Sequence, residues 1–137
     1  MSFEDIRTPK VVTDALILTE DGKIVLVKRK GEPFNGFYEI PGGFVEYGET
    51  VEAACVREAF EETGLKVEIV RLLGVYSDPK RDPRGHTAGV AYICRRVGGS
   101  MRGSDETEDV RTFSKDEIRK LKLAFDHAKI LKDAGLR

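Results

Sequence analysis

Between Gly43 and Leu65 the chain reads GFVEYGETVEAACVREAFEETGL. A glycine pair after Pro41 opens the stretch, a short acidic loop follows, and Thr50 to Thr63 reads as a helix. Thr50 suits the N-cap, Glu52 lies in the first turn where the helix dipole favours an anion, and Gly64 suits the C′ position. At about 100° per residue, Glu58, Glu61 and Glu62 stand at i, i+3 and i+4, so their carboxylates leave one side of the helix. Like charges at that spacing cost roughly 0.2–0.5 kcal/mol per pair on an exposed helix, and more where the site is partly desolvated. A solvated acidic face is the ordinary explanation for such a run. Here Val51, Ala54, Cys55, Val56, Ala59 and Phe60 take up most of the circumference, which predicts a helix largely covered by protein. Carboxylates held on such a helix call for a cation. Oxygen donors without a sulfur or imidazole set beside them suit Mg²⁺ or Mn²⁺, not zinc.

Working outward, Pro41 and the two glycines interrupt any regular element and allow the main chain to approach a ligand closely. Upstream, Val11 to Thr19 (VVTDALILT) predicts a strand, Glu20-Asp21-Gly22 a turn, and Ile24 to Lys30 the returning arm of a hairpin. Downstream, Lys66 to Tyr76 and Thr87 to Arg95 predict two more strands, with a shorter one around Val110 to Phe113. Ser114 followed by Glu117 forms a capping box for a helix reaching about Lys120, and a last helix is expected from about Phe125 to Asp133. Gly98 to Ser104 has a flexible composition and leads into Asp105-Glu106-Thr107-Glu108-Asp109, either a solvated turn or an acidic loop with a chemical role. Strands on both sides of a central helix, with a helix at the end, predict an α/β domain with a mixed sheet and helices on its faces.

Length and charge narrow the function. The chain has 137 residues, the size of one domain with one core, and residues 1–137 are expected to form a single unit. Lys plus Arg (23) nearly balances Asp plus Glu (24), so no global field favours nucleic acid. No apolar run approaches the roughly 20 residues that span a bilayer, and MSFEDIRTPK lacks the apolar core of a signal peptide. A cytoplasmic protein with no membrane partner is therefore expected. Cys55 and Cys94 fall in apolar surroundings and read as structural thiols.

The string Gly43, five residues, Glu49, seven residues, Arg57-Glu58-Ala59-Phe60-Glu61-Glu62-Thr63-Gly64-Leu65 resembles the Nudix box with every defining position filled. The resemblance implies an α/β/α Nudix sandwich and a hydrolase acting on a nucleoside diphosphate linked to another group. It implies that Mg²⁺ or Mn²⁺ is held by the Gly43 carbonyl and by Glu58, Glu61 and Glu62, with Glu49 and Arg57 as a bracing ion pair. The general base is left open between a box glutamate (Glu58 or Glu61) and the acidic run, where Glu106 and Glu108 are the candidates. Tyr38 stands where the family usually has tryptophan.

The run VYSDPKRDPRGHT (75–87) and the later Leu123-Ala124-Phe125-Asp126-His127 resemble the ADP-ribose pyrophosphatase branch. A proline at about this distance after the box is associated with ADP-ribose use there, and both Pro79 and Pro83 fit. Candidate substrate contacts are Arg29, Phe34, Tyr76, Pro79, Arg81 and Arg84, the guanidinium fork suiting phosphate or ribose oxygens. His86 and His127 read as packed or capping histidines before acid–base groups. The leading expectation is hydrolysis of ADP-ribose to AMP and ribose 5-phosphate by a homodimer. The alternatives are a nucleoside triphosphate pyrophosphohydrolase and a non-catalytic ADP-ribose sensor.

Overall fold

The first long strand, β1 (Lys10–Leu18), sets the frame. Its side chains alternate: Ala15 and Ile17 enter one apolar cluster and Leu16 the other, so both faces of the strand are covered. The computed structural model describes residues 1–104 and 107–137, with side chains described for 1–104 and 109–137. β1 runs parallel to β6 (Thr87–Gly99), from Lys10↔Thr87 to Leu18↔Arg95, and β5 (Leu65–Tyr76) pairs antiparallel on the outer edge of β6.

Two strands share the other edge of β1. β2 (Ile24–Arg29) meets it only at Leu18↔Ile24, whereas β4 (Gly42–Phe44) lies antiparallel to Val12–Asp14. The predicted hairpin is therefore a fork that opens from its turn, and β4 fills the mouth. β2 pairs on with β3 (Tyr38–Glu39) and β7 (Thr107–Phe113), completing a mixed seven-stranded sheet.

Helices cover both faces. α1 (Val51–Thr63) packs Cys55 and Ala59 against Ala15, Ile17, Val25, Val67, Tyr92 and Cys94. On the opposite face Ile118 of α2 (Lys115–Ile118) and Ile130 and Leu131 of α3 (His127–Asp133) meet Leu16, Leu26, Ile93 and Phe113. This is the α/β/α arrangement expected. Cys55 and Cys94 are free and fully buried, with their sulfurs 3.8 Å apart. Among the described residues, no helix is long and apolar enough to cross a membrane.

Some expectations need correction. α1 is less covered than its composition suggests, because the sheet meets only one stripe of it: Val56 and Phe60 remain 37% and 38% exposed, the Phe60 ring lying under the Arg102 guanidinium. β6 continues through Gly98 and Gly99, which pair with Lys66 and Leu65, so the ladder overrides their weak strand propensity. α2 ends at Ile118, short of Lys120, although its capping box forms as predicted. α3 starts at His127 because Phe125 has φ +52°, outside the helical region. Tyr38 belongs to the core: its hydroxyl accepts from Arg111 and its ring stands edge-on to Phe113, the packing task a larger indole would share.

The ends of α1 follow the local chemistry. Thr50 Oγ1 accepts from the Ala53 amide, and Gly64 takes the left-handed conformation, φ +77°. A Cβ at Gly64 would stand 2.3 Å from the Ser100 carbonyl oxygen as well as in strained backbone. We expect Gly64→Ala to cost more than the ~1–2 kcal/mol of left-handed backbone alone, read as a lower urea midpoint with an unchanged m-value.

Candidate active site

The helix that carries the acidic triplet is tied to the preceding loop by one arginine. Arg57 Nε donates to Glu49 Oε2 (2.7 Å) and Nη2 donates to Glu49 Oε1 (2.9 Å) and to the Phe44 carbonyl (3.1 Å). Nη1 donates to Glu58 Oε1 at 2.9 Å and to Glu61 Oε2 at 3.2 Å. The fork holds Glu49 down to about 2, an effect to which the Glu46 amide adds, and Glu49 in turn holds Arg57 well above the usual range. Glu49 and Arg57 brace the loop as expected. The same guanidinium also offsets the repulsion among the helix carboxylates.

The three glutamates differ in setting. Glu62 is 5% exposed and accepts from the Gly42 amide (3.2 Å). Glu58 is mostly buried and packs on Gly43 so closely that a Cβ there would lie 2.5–2.6 Å from its carboxyl atoms. Glu61 is half-exposed. Glu58, Glu62 and Gly43 border a cleft of about 540 Å³, which Glu61 does not line. Among the described residues, no three His, Cys, Asp or Glu side chains stand close enough together to enclose an ion. The donor set nevertheless fits a hard divalent cation, being all oxygen, and the glycine at Gly43 keeps open the space between main chain and Glu58.

The opposite wall of the cleft comes from the other face of the sheet. Asp14 shares the face of Leu16 and is 6% exposed. Its Oδ1 lies 3.7 Å from His127 Nε2 and its Oδ2 4.0 Å from Arg81 Nη2. His127 Nδ1 accepts from the Ile40 amide (2.9 Å), so the proton of a neutral ring sits on Nε2 and faces Asp14. His127 is thus the packed histidine that the sequence favoured. His86, exposed, lies with Nε2 2.9 Å from the Ser77 carbonyl.

Arg81 is buried, only 5% of its side chain exposed. Its Nε and Nη2 donate to the two carboxylate oxygens of Asp126 (2.9 and 2.8 Å), and Nη1 donates to Thr87 Oγ1 (2.8 Å). Burial opposes its charge, and the Asp126 pairing more than restores it. Arg29 donates to Glu39 (3.0 Å) and the Pro33 carbonyl (2.7 Å), and its guanidinium lies 5.0 Å from the Phe125 ring. Arg84, about half exposed, is paired with Asp82 and faces the rings of Phe44 and Phe125.

Phe125 also borders a second cavity of about 590 Å³, where Phe34 meets it edge-on at 4.9 Å beside Tyr76 and Pro83. The Tyr76 hydroxyl donates to Asp133 Oδ2, and burial with that contact pushes the phenol up to about 12. Pro79 is exposed and borders neither space, so of the two prolines it is Pro83 that faces a cavity. Glu106 lies outside the described residues with Asp105. The backbone of Glu108 lies in β7, but its side chain is also outside them.

Asp14, Glu39, Asp126 and Phe125 were not singled out from the sequence as site residues. Asp14 had one signal, a lone acid inside an otherwise apolar strand. Burial pushes the Asp14 carboxyl up to about 8, against the opposing pull of Arg81, and burial pushes His127 down to about 3. Folded Asp14 therefore keeps a proton that the unfolded chain releases between about 4 and 8, which lowers stability as pH rises through that window. Folded His127 lacks a proton that the unfolded chain holds below about 6.5, so its effect opposes that of Asp14 in the acid range and vanishes above it. Melting temperature should fall from pH 6.5 to pH 8 in the wild type, and Asp14→Asn should flatten that fall; an unchanged slope in the variant would contradict the assignment.

Comparison with known proteins agrees with this geometry. The NUDIX domain family matches residues 8–134. An ADP-ribose pyrophosphatase of Methanocaldococcus jannaschii is 50% identical over 125 residues, spanning 91% of this chain and 72% of that protein. A crystal structure of an ADP-ribose pyrophosphatase from Streptococcus suis superposes with TM-score 0.76 at 32% identity, covering 94% of this chain and 89% of that one. A bifunctional NMN adenylyltransferase/ADP ribose pyrophosphatase from Francisella tularensis, complexed with AMP and a manganese ion, gives TM-score 0.83 at 27% identity over 93% of this chain and 41% of that one. With the box, the layered sheet and the matched span all in agreement, the chain belongs to the Nudix domain family.

Proposed function

We propose that this chain hydrolyses the pyrophosphate of ADP-ribose to AMP and ribose 5-phosphate, using Mg²⁺ (or Mn²⁺), as a single Nudix domain over residues 1–137. One observation carries the reading: the box residues Gly43, Glu58 and Glu62 border the same cleft as Arg29, Arg84 and Phe125, so a metal-handling wall faces a wall suited to phosphate and an aromatic base. The 50% identity to an archaeal ADP-ribose pyrophosphatase over 91% of this chain supports the choice of substrate.

In this reading the Gly43 carbonyl and Glu58, Glu61 and Glu62 would hold the metal. A divalent ion there would supply charge neutralisation at the phosphate oxygens and would acidify the attacking water. Arg29 and Arg84 orient the diphosphate, and the Phe34–Phe125 edge offers the purine an aromatic surface. Water adds to one phosphorus, the bridging phosphorus–oxygen bond breaks, and the other phosphate leaves. The water's proton passes to a box glutamate, Glu58 or Glu61, or to Glu106 or Glu108 of the acidic segment. Glu49 and Arg57 hold the loop in place. The reading includes a cytoplasmic location, a small-molecule substrate, no nucleic acid or membrane partner, and a homodimer formed through the β5 side, where Val70, Leu72 and Val75 are 53–60% exposed.

A nucleotide panel with Mg²⁺, resolved by chromatography of the products, tests the substrate. AMP and ribose 5-phosphate should appear fastest from ADP-ribose; a preference for triphosphates, or tight binding with no products, overturns the proposal. Glu62→Gln keeps an acceptor for the Gly42 amide and should leave the melt intact while kcat falls by orders of magnitude. Loss of the general base should cost on the order of 10²–10⁴-fold in kcat, so Glu61→Gln, Glu106→Gln and Glu108→Gln, compared in one pH profile, identify which group titrates.

A further inference from the structure

Asp14 is a buried carboxyl group whose Oδ2 has no hydrogen-bond partner among the described residues, and it borders the same cleft as Glu58 and Glu62. Leaving a buried acceptor unpaired is costly, and in native proteins such groups are few. Across from it, Arg81 Nη2 stands 4.0 Å away, beyond hydrogen-bonding reach. The guanidinium is fixed by its fork to Asp126, and that fork uses one of the two Nη2 hydrogens. Acceptor and donor thus face each other across a gap that a single atom at the apex of a triangle bridges with two ordinary hydrogen bonds.

The chemistry of the gap narrows what fits. A single atom that accepts from Nη2 and can either donate to an ionised Oδ2 or accept from a protonated one is that of a hydroxyl or a water. An exocyclic base amine only donates and so cannot take the Nη2 hydrogen. A phosphate oxygen only accepts and so meets Oδ2 only when Asp14 is protonated, whereas a hydroxyl serves both forms of the carboxyl group. Alternation along β1 decides the role further. Asp14 lies on the α3 face of the sheet with Leu16, whereas α1, bearing Glu58 and Glu62, packs on the face of Ala15 and Ile17. A group so placed recognises the part of the ligand that reaches round the sheet from the reacting phosphates.

We propose that Asp14 Oδ2 and Arg81 Nη2 together hold one hydroxyl of a ribosyl unit of the ligand, making Asp14 a specificity-determining residue of this cleft. The inference rests on the proposed function for the identity of the ligand, which carries two ribosyl units. Its sugar chemistry is common to both, and the experiment separates them.

The test measures kcat and KM with Mg²⁺ for ADP-ribose and for two analogues, one deoxygenated on the nucleoside ribose and one on the terminal ribose. Wild type and Asp14→Asn are compared, with ligand-induced thermal shifts as a parallel reading of affinity. Removing the contacted hydroxyl should cost the wild type roughly tenfold or more in kcat/KM, mainly through KM, while the variant should treat that analogue and ADP-ribose nearly alike. The analogue altered at the other ribose should show the same ratio in both proteins. Equal discrimination by wild type and variant against both analogues overturns the proposal. If the panel shows that a nucleoside triphosphate is the substrate, the ADP-ribose reading fails separately; the ribo and 2′-deoxy forms of that triphosphate then make the pair, and equal discrimination again overturns the role of Asp14. A melt of unliganded Asp14→Asn at pH 8, no lower than that of the wild type, establishes that the variant is folded.

Discussion

The bidentate pair between Arg81 and Asp126 is the constraint on which the substrate side of the cleft depends. It joins the loop between β5 and β6 to the start of α3, two segments with no backbone ladder to hold them together. Buried ion pairs recover their desolvation cost only with good geometry and further hydrogen bonds. Here both carboxylate oxygens are engaged and Thr87 takes a third donor. Gly89 on β6 leaves the space that the guanidinium fills, since a Cβ there would lie 3.0 Å from it. Removing either partner of such a pair costs about 3–5 kcal/mol as a rule, because the other is left charged and buried. With Arg81 fixed, the positions of Phe125, His127 and Asp14 follow as neighbours packed around it.

A second arginine does the corresponding task on the other face. Arg57 ties the loop from Phe44 to Glu49 onto α1, as Arg81 ties the loop from Ser77 to His86 onto α3. Each guanidinium uses a planar fork where an ammonium would supply only a point charge. The two differ in accessibility. Arg57 keeps a quarter of its side chain exposed and shares its charge with Glu58 and Glu61, so its contacts are open to exchange. Arg81 is largely buried, with Nε, Nη1 and Nη2 all engaged, which suits a part of the cleft that has to stay rigid.

Much of this was legible in the sequence, for identifiable reasons. The α1 helix carries its own caps, Thr50 and Gly64, and the box spacing is local, so neither needed tertiary information. The bracing of Glu49 by Arg57 is likewise a short-range consequence of that spacing. What escaped notice is assembled over long separations. Asp14 and His127 lie 113 positions apart in the numbering, and only the parallel pairing of β1 with β6 and the docking of α3 bring them together. Arg81 was a candidate substrate contact by its type, but its pairing with Asp126 and Thr87 is a tertiary fact that no local pattern encodes. The β1–β2 fork was hidden too, since two apolar runs flanking a turn predict a paired hairpin whether or not the arms later diverge.

The fork explains why the cleft exists at all. Had β1 and β2 remained paired beyond Leu18↔Ile24, the main chain of β4 would have no edge to join, and Gly42 and Gly43 would not lie between the two walls. In β4, consecutive residues face opposite sides: a Cβ at Gly42 would lie 2.0 Å from the Thr13 carbonyl oxygen and 2.7 Å from Asp14 Oδ1, and one at Gly43 would lie 2.5–2.6 Å from the Glu58 carboxyl. Two side chains there would separate the acidic helix from the Asp14 wall. Their absence lets one cleft pass round the end of the sheet, with a hard oxygen donor set on the α1 side and a hydroxyl-sized gap on the α3 side. The glycine pair is therefore a requirement of the close approach of β4 to β1 and of the open cleft as much as of the turn that follows Pro41.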